Sequence, residues 1–279
     1  MADVHVTTYA ELRNAVNNAT EATNIYIDND INVDDEYPEG VSAIALSSSA
    51  TFSVNIYGQN HKISNILMDS NIAVFSGRYA SSTYYWLNIF DVNFENVQIE
   101  ASGSTGKFLG DAASLKRCSV AITLSANSNA ATENQFATSR VSISRCSLTI
   151  SGANSIQNPT LTIGGDYYCD FNNIILLGRF RKVVLNGVRN SYIHGDFKQT
   201  YANSNYFTLK LIACEVNATI DMAVLPTCTG CSLAVINTDN LTLPSGKTLD
   251  NLSSLLTQCT TAEMESASTL WNDYGFPIR

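Results

Sequence analysis

The chain reads RCSVAI at residues 117–122 and RCSLTI at residues 145–150, nearly the same hexapeptide at a separation of 28 residues. A structural repeat predicts further copies, and looser ones are present. Each has a small polar residue or Cys, then Ser, Asn, Asp or Glu, then an apolar residue, any residue, and usually a second apolar one. They begin at Asn29, Ser64, Glu95, Cys118, Cys146, Asn172, Asn190, Cys214 and Cys231, with spacings of 35, 31, 23, 28, 26, 18, 24 and 17 residues. A repeat of roughly 20–35 residues that is elastic in length points to a solenoid. Insertions then fall in loops while the stacked strands keep register.

Composition agrees. Charged residues make up 15% of the 279, against a usual value of about 25%. Ser, Thr and Asn supply the polar surface, and they suit stacked strands because hydroxyls and amides can pair with their equivalents one rung away, about 4.8 Å off. A hydrophobic content of 45% is enough for a core. The net charge of −9 lacks the basic footprint that phosphates require, so nucleic acid is excluded as a partner. No apolar run reaches the 18 residues expected of a membrane-spanning helix, so no membrane insertion is expected. The opening residues show no signal peptide.

Short alternating strands fill residues 23–243. Examples are Phe52-Ser53-Val54-Asn55-Ile56-Tyr57, Val141-Ser142-Ile143 and Phe207-Thr208-Leu209-Lys210-Leu211. Three parts are expected. Residues 1–22 form an N-terminal capping helix, with Glu11 three residues after Thr8 as a capping box. Residues 23–243 form the solenoid. Residues 244–279 form a C-terminal cap, with a helix from Thr260 and an aromatic tail at 271–278. Caps are needed because the open ends of a solenoid expose strand edges and an apolar cross-section.

Seven cysteines are spread along the chain. Cys118, Cys146, Cys214 and Cys231 occupy repeat positions and read as buried turn residues. Cys228-Thr229-Gly230-Cys231 is a lone C-x-x-C without the second pair or the histidines that zinc needs, so neither metal nor cofactor is expected.

The opening T-Y-A-E-L-R-N-A-V…N-I-Y-I-D-N-D-I-N-V and the C-S-V-A-I and C-S-L-T-I turns resemble the right-handed parallel β-helix proteins of the pectate-lyase-like superfamily, over residues 7–243. The resemblance implies an all-β solenoid. It leaves the chemistry open, because the superfamily holds polysaccharide lyases, polygalacturonases and non-enzymatic phage and surface proteins. Polygalacturonase-like members carry N-T-D, D-D, G-H-G and R-I-K in that order. Here Asn237-Thr238-Asp239 lies near the C-terminal end, and none of the other motifs follows it.

The best carboxylate–guanidinium grouping is Asp166 and Asp170 near Arg179 and Arg181. Aromatic residues in Ser/Asn-rich stretches are better binding candidates: Tyr84, Tyr85 and Trp86, then Tyr167 and Tyr168, then Tyr206. The leading expectation is a non-enzymatic structural or attachment protein of a phage virion, a fibre or decoration component. It is made in the host cytoplasm and meets a glycan or protein receptor, other virion proteins and further copies of itself as a homotrimer. The alternative is a polysaccharide lyase or glycoside hydrolase with a non-standard carboxylate site.

Overall fold

In a computed structural model, residues 1–68, 73–100, 107–125, 135–137, 140–152, 160–163 and 169–265 are described. The chain is all-β, with one large sheet of 21 strands built almost wholly from parallel neighbours. Alternating apolar residues make each strand, and in-register stacking makes the sheet. Val4, Ile25, Ile56, Ile89, Leu115, Ile143, Cys169, Val188 and Leu211 lie one over the next as a first ladder. A second ladder runs through Ile31, Ile63, Phe94, Val120, Leu148, Ile174, Ile193, Val216 and Ile236. A third wall stacks Ile44–Ala45, Ala73–Ser76, Lys107–Leu109 and Gln135–Ala137. Each coil visits the three walls in turn, which is the expected parallel β-helix.

The corner between the first two ladders explains the repeated hexapeptide. Arg117 and Arg145 are left-handed, at φ +56° and +55°, as are Asp91, Asn190, Ala213 and Leu233 in the same place on other coils. Such a residue turns the chain sharply and takes it out of the ladder. The next side chain points inward and folds back. The Cys118 thiol donates to the Lys116 carbonyl at 3.5 Å, Cys146 to Ser144 at 3.4 Å, and Cys214 to Ile212 at 3.4 Å. The Ser191 hydroxyl does the same to Arg189 at 2.7 Å. A small side chain with one weak donor therefore fits this buried corner.

The structural repeat differs in phase from the expected one at several copies. Phe171 and Ser191, not Asn172 and Asn190, occupy the corner equivalent to Cys146 and Cys214. Ser232 bridges Ile212, so Cys231 comes three residues before the corner, which Ala234 takes. Ser64 and Glu95 stack on each other at a different bend, inside the second wall, where Asn65 and Asn96 are left-handed. The short pattern mixed two bends because both place a polar residue before an apolar one.

Asparagines do stack, in two columns. Asn24, Asn55 and Asn88 each pass an amide N–H to the residue below, starting from Asp3, at 3.0 Å per step. Asn65 donates to Asn32 and Asn96 to Asn65, at 2.8 and 2.6 Å. The interior is aromatic midway up. Phe75, Phe94, Phe108, Phe136 and Phe171 are buried, and their ring centroids lie 5.1–6.0 Å apart.

The helix α1 (Tyr9–Asn17) buries Tyr9, Leu12 and Val16. The Glu36 carboxylate accepts the Tyr9 and Ala10 N–H groups at 2.8 and 2.9 Å, satisfying two donors that a helix start leaves open. Thr8 caps Glu11 N–H as expected, and the Glu11 carboxylate accepts chiefly from the N–H and hydroxyl of Thr7. Those Thr7 bonds hold the Glu11 carboxyl below the usual range.

Rungs cross both expected part boundaries. Ala2–Val6 pairs with Thr23–Ile27, so α1 is an insertion between the first two rungs rather than a segment preceding them. Beyond residue 244 the chain rejoins the ladder, as Thr257–Cys259 pairs with Val235–Asn237. The helix α2 (Thr261–Glu265) follows, buries Met264 and carries a full capping box between Thr260 and Glu263. The tail at 271–278 lies outside the described residues.

Phe108 touches three other rings, so Phe108→Ala should cost about 3–5 kcal/mol of stability, the usual range for a buried Phe. Denaturant melts against the parent chain measure it. Leu233 is left-handed at φ +52° and 54% exposed, so Leu233→Gly removes strain at little cost in packing. It should raise stability by about 1 kcal/mol in the same assay.

Candidate functional site

The clearest departure from the coil is a hairpin. Arg78–Ala80 pairs antiparallel with Thr83–Tyr85, and Ser81 and Ser82 turn it with φ of +50° and +63°. It is inserted where the third wall enters the first ladder at Leu87. Gly77 permits it: a Cβ there would lie 2.2 Å from the Ala112 carbonyl oxygen and 2.5 Å from that of Tyr85.

The hairpin brings Tyr79, Tyr84, Tyr85 and Trp86 together, all half-buried. Tyr84 stacks on Trp86 at 5.3 Å and meets Tyr79 at 4.8 Å. The Arg140 guanidinium covers the Tyr79 ring at 4.0 Å and pairs with Asp111 at 3.1 Å. Tyr79, Asp111 and Arg140 enter three consecutive rungs, at Leu87, Ala113 and Val141. The hairpin is thus fastened across two coils. Arg78 lies 5.4 Å from the Tyr85 ring centre and bonds the Ala50 carbonyl. Ala50 lines a polar depression of about 390 Å³ with Asn17, Asn18, Thr20, Ser49 and Thr51. Through Arg78 the hairpin therefore adjoins a surface of amides and hydroxyls.

A second aromatic group stands on the loop before Phe207–Ile212. Tyr201 and Tyr206 meet at 4.7 Å, and the Arg181 guanidinium lies 4.6 and 5.5 Å from their centres. Tyr85 also packs partly against the core. Tyr167 and Tyr168 lie outside the described residues.

The carboxylate grouping is not assembled among the described residues. Asp170 stacks between Ser144 and Arg189 on the first ladder, whereas Arg179 stands beside Lys198 near the other end of Cys169–Phe180. They stand nine positions apart along that strand. Asp166 lies outside the described residues. Asn237-Thr238-Asp239 is structural. The buried Asn237 amide donates to Asn217 at 2.8 Å and to Thr261 at 3.0 Å, and Asp239 accepts the Thr261 N–H at 2.8 Å. The motif ties α2 to the last coils. No cluster of three metal-binding side chains occurs among the described residues, and no described helix is long and apolar enough to cross a membrane.

Sequence reasoning missed Arg78, Asp111 and Arg140, because their partners are set by coil register. It also missed an outer stack of His5, Tyr26, Tyr57 and Phe90, with centroids 5.1–5.2 Å apart. A signal for that stack was present: the triplet Asn-Ile-aromatic recurs at 24–26, 55–57 and 88–90.

Arg140→Ala removes the clamp on Tyr79 but no core group. It should increase proteolytic cleavage within residues 78–86 at least several-fold while the melting temperature changes little. Limited proteolysis with mass mapping, beside a thermal melt, checks both halves.

Residues 3–138 match the family model described as "Putative pectate lyase-like adhesive domain". No curated protein matches the chain. The protein is a parallel β-helix, and residues 3–138, the part that carries the hairpin, are similar to a pectate lyase-like adhesive domain.

Proposed function

We propose that the chain is a non-catalytic attachment module whose hairpin ledge binds a glycan. The observation that carries this is the cluster of Tyr79, Tyr84 and Trp86 beside the amide- and hydroxyl-lined depression, linked to it through Arg78. Sugars offer hydroxyls to amides and C–H faces to aromatic groups, so the two surfaces together suit them. The match of residues 3–138 to an adhesive domain supports the same reading, and the separation of Asp170 from Arg179 gives a hydrolase or lyase little to work with. The rigid solenoid acts as a stalk that presents the ledge, either as a fibre or decoration component of a virion or as part of a cell-surface adhesin. Antibody labelling of intact virions and of intact cells separates those two settings.

On a glycan array, Tyr84→Ala and Trp86→Ala should each weaken binding at least tenfold, since aromatic anchors dominate such interfaces. Circular dichroism should stay unchanged, while Tyr206→Ala leaves binding intact. Release of new reducing ends from a bound glycan, abolished by Asp170→Asn, would replace attachment with catalysis.

A further inference from the structure

The C-x-x-C at 228–231 is explained neither by the fold repeat nor by the ledge. Thr227–Cys228 forms a two-residue rung in which Cys228 stacks on Leu209. The chain then turns through Thr229 and Gly230, whose φ is +66°. Thr229 N–H returns to the Leu209 carbonyl at 3.1 Å, and the Cys231 thiol donates to that same carbonyl at 3.4 Å. The turn therefore closes around one oxygen, which the Thr229 N–H and the Cys231 thiol share. The Cys228 and Cys231 side chains interact across this turn, and the Ser253 side chain adjoins Cys228. Thr229 and Gly230 are exposed and Cys228 is half-buried, while Cys231 is only 8% exposed, so reagents reach the pair from the Cys228 side.

A second pair makes a useful contrast. Cys118 and Cys146 also touch, with the Cys118 N–H 3.5 Å from the Cys146 sulfur, but they are only 3% and 0% exposed.

We propose that Cys228 and Cys231 are a thiol–disulfide exchange site that closes into a reversible disulfide with a small-molecule disulfide such as oxidised glutathione. One thiolate of the pair attacks a glutathione sulfur. A mixed disulfide forms and one glutathione thiolate leaves. The second protein thiol gives up its proton and attacks the protein sulfur of the mixed disulfide, expelling the other glutathione. The two protein sulfurs are oxidised, the glutathione disulfide is reduced to two thiols, and no other oxidant is needed. The interaction with Cys228 holds the Cys231 thiol below its ordinary value, which supplies the thiolate this chemistry uses. The pair differs from a redox enzyme's C-x-x-C, which opens a helix. Here a turn follows, and the Ser253 contact joins the pair to the segment whose Leu252 and Leu256 close the far end.

The test incubates the native, reduced chain with oxidised glutathione, quenches with acid, denatures, alkylates and maps each cysteine by mass spectrometry. Alkylation of Cys228 and Cys231 should fall at least tenfold, with their shared peptide two hydrogens lighter, while Cys118, Cys146, Cys169, Cys214 and Cys259 label fully. Dithiothreitol should restore the labelling. In Cys228→Ser the light peptide should be absent. Full labelling of both cysteines after glutathione treatment would overturn the proposal, as would equal loss of label at Cys118 and Cys146.

Discussion

Parallel, in-register stacking governs everything else in this molecule. Once the backbone of each coil pairs with the one below, every side chain sits on its counterpart, and a column must be chemically tolerable to itself. Ile, Val and Leu satisfy this inside, where burial is worth about 25 cal/mol per Å² of apolar surface. Outside, amides satisfy it by passing a hydrogen bond up the column from Asp3 to Asn88. Planar rings satisfy it by stacking from His5 to Phe90. Charges satisfy it best in alternation, as where Arg117 sits over Asp91 and bonds it twice, at 2.6 and 2.5 Å. The low charge content follows from the same rule, since like charges on adjacent rungs repel.

Corners are where the rule is relaxed, and they carry the variation. From Asp91 onward a left-handed residue, often with a folded-back thiol or hydroxyl after it, makes a compact corner between the first two walls. The corner entering the first wall is looser. It accepts the hairpin in one coil and Asp111 and Arg140 in others, and so one edge of the solenoid gathers the groups that the candidate ledge uses. A stiff wall and an adaptable edge are how a scaffold divides stability from recognition.

The solenoid was legible because its signal is repeated: an alternating strand, a bend and another strand, written many times. Phase was harder. Cys118, Cys146 and Cys214 were read correctly as buried turn residues, and Cys231 is buried as read but lies three residues before the corner, because a pattern of five residues does not fix phase. The two helices were readable from local capping residues, but the rung at Ala2–Val6 was not, since only its partner identifies it. The site was legible in part. Tyr84 and Trp86 announced themselves by residue type. Arg140 did not, because its meaning depends on standing two coils away from Tyr79, a distance set by loops of unequal length.

The clamp across two coils has a mechanical side. A tether bound at the ledge pulls on the hairpin, and Arg140 with Asp111 passes that pull to rungs beyond the one that bears the hairpin. The backbone bonds of neighbouring coils then resist together instead of opening one after another like a zip. A grip located at the tip of an unfastened loop would tear away from its own coil first, whereas this one shares its load with the wall.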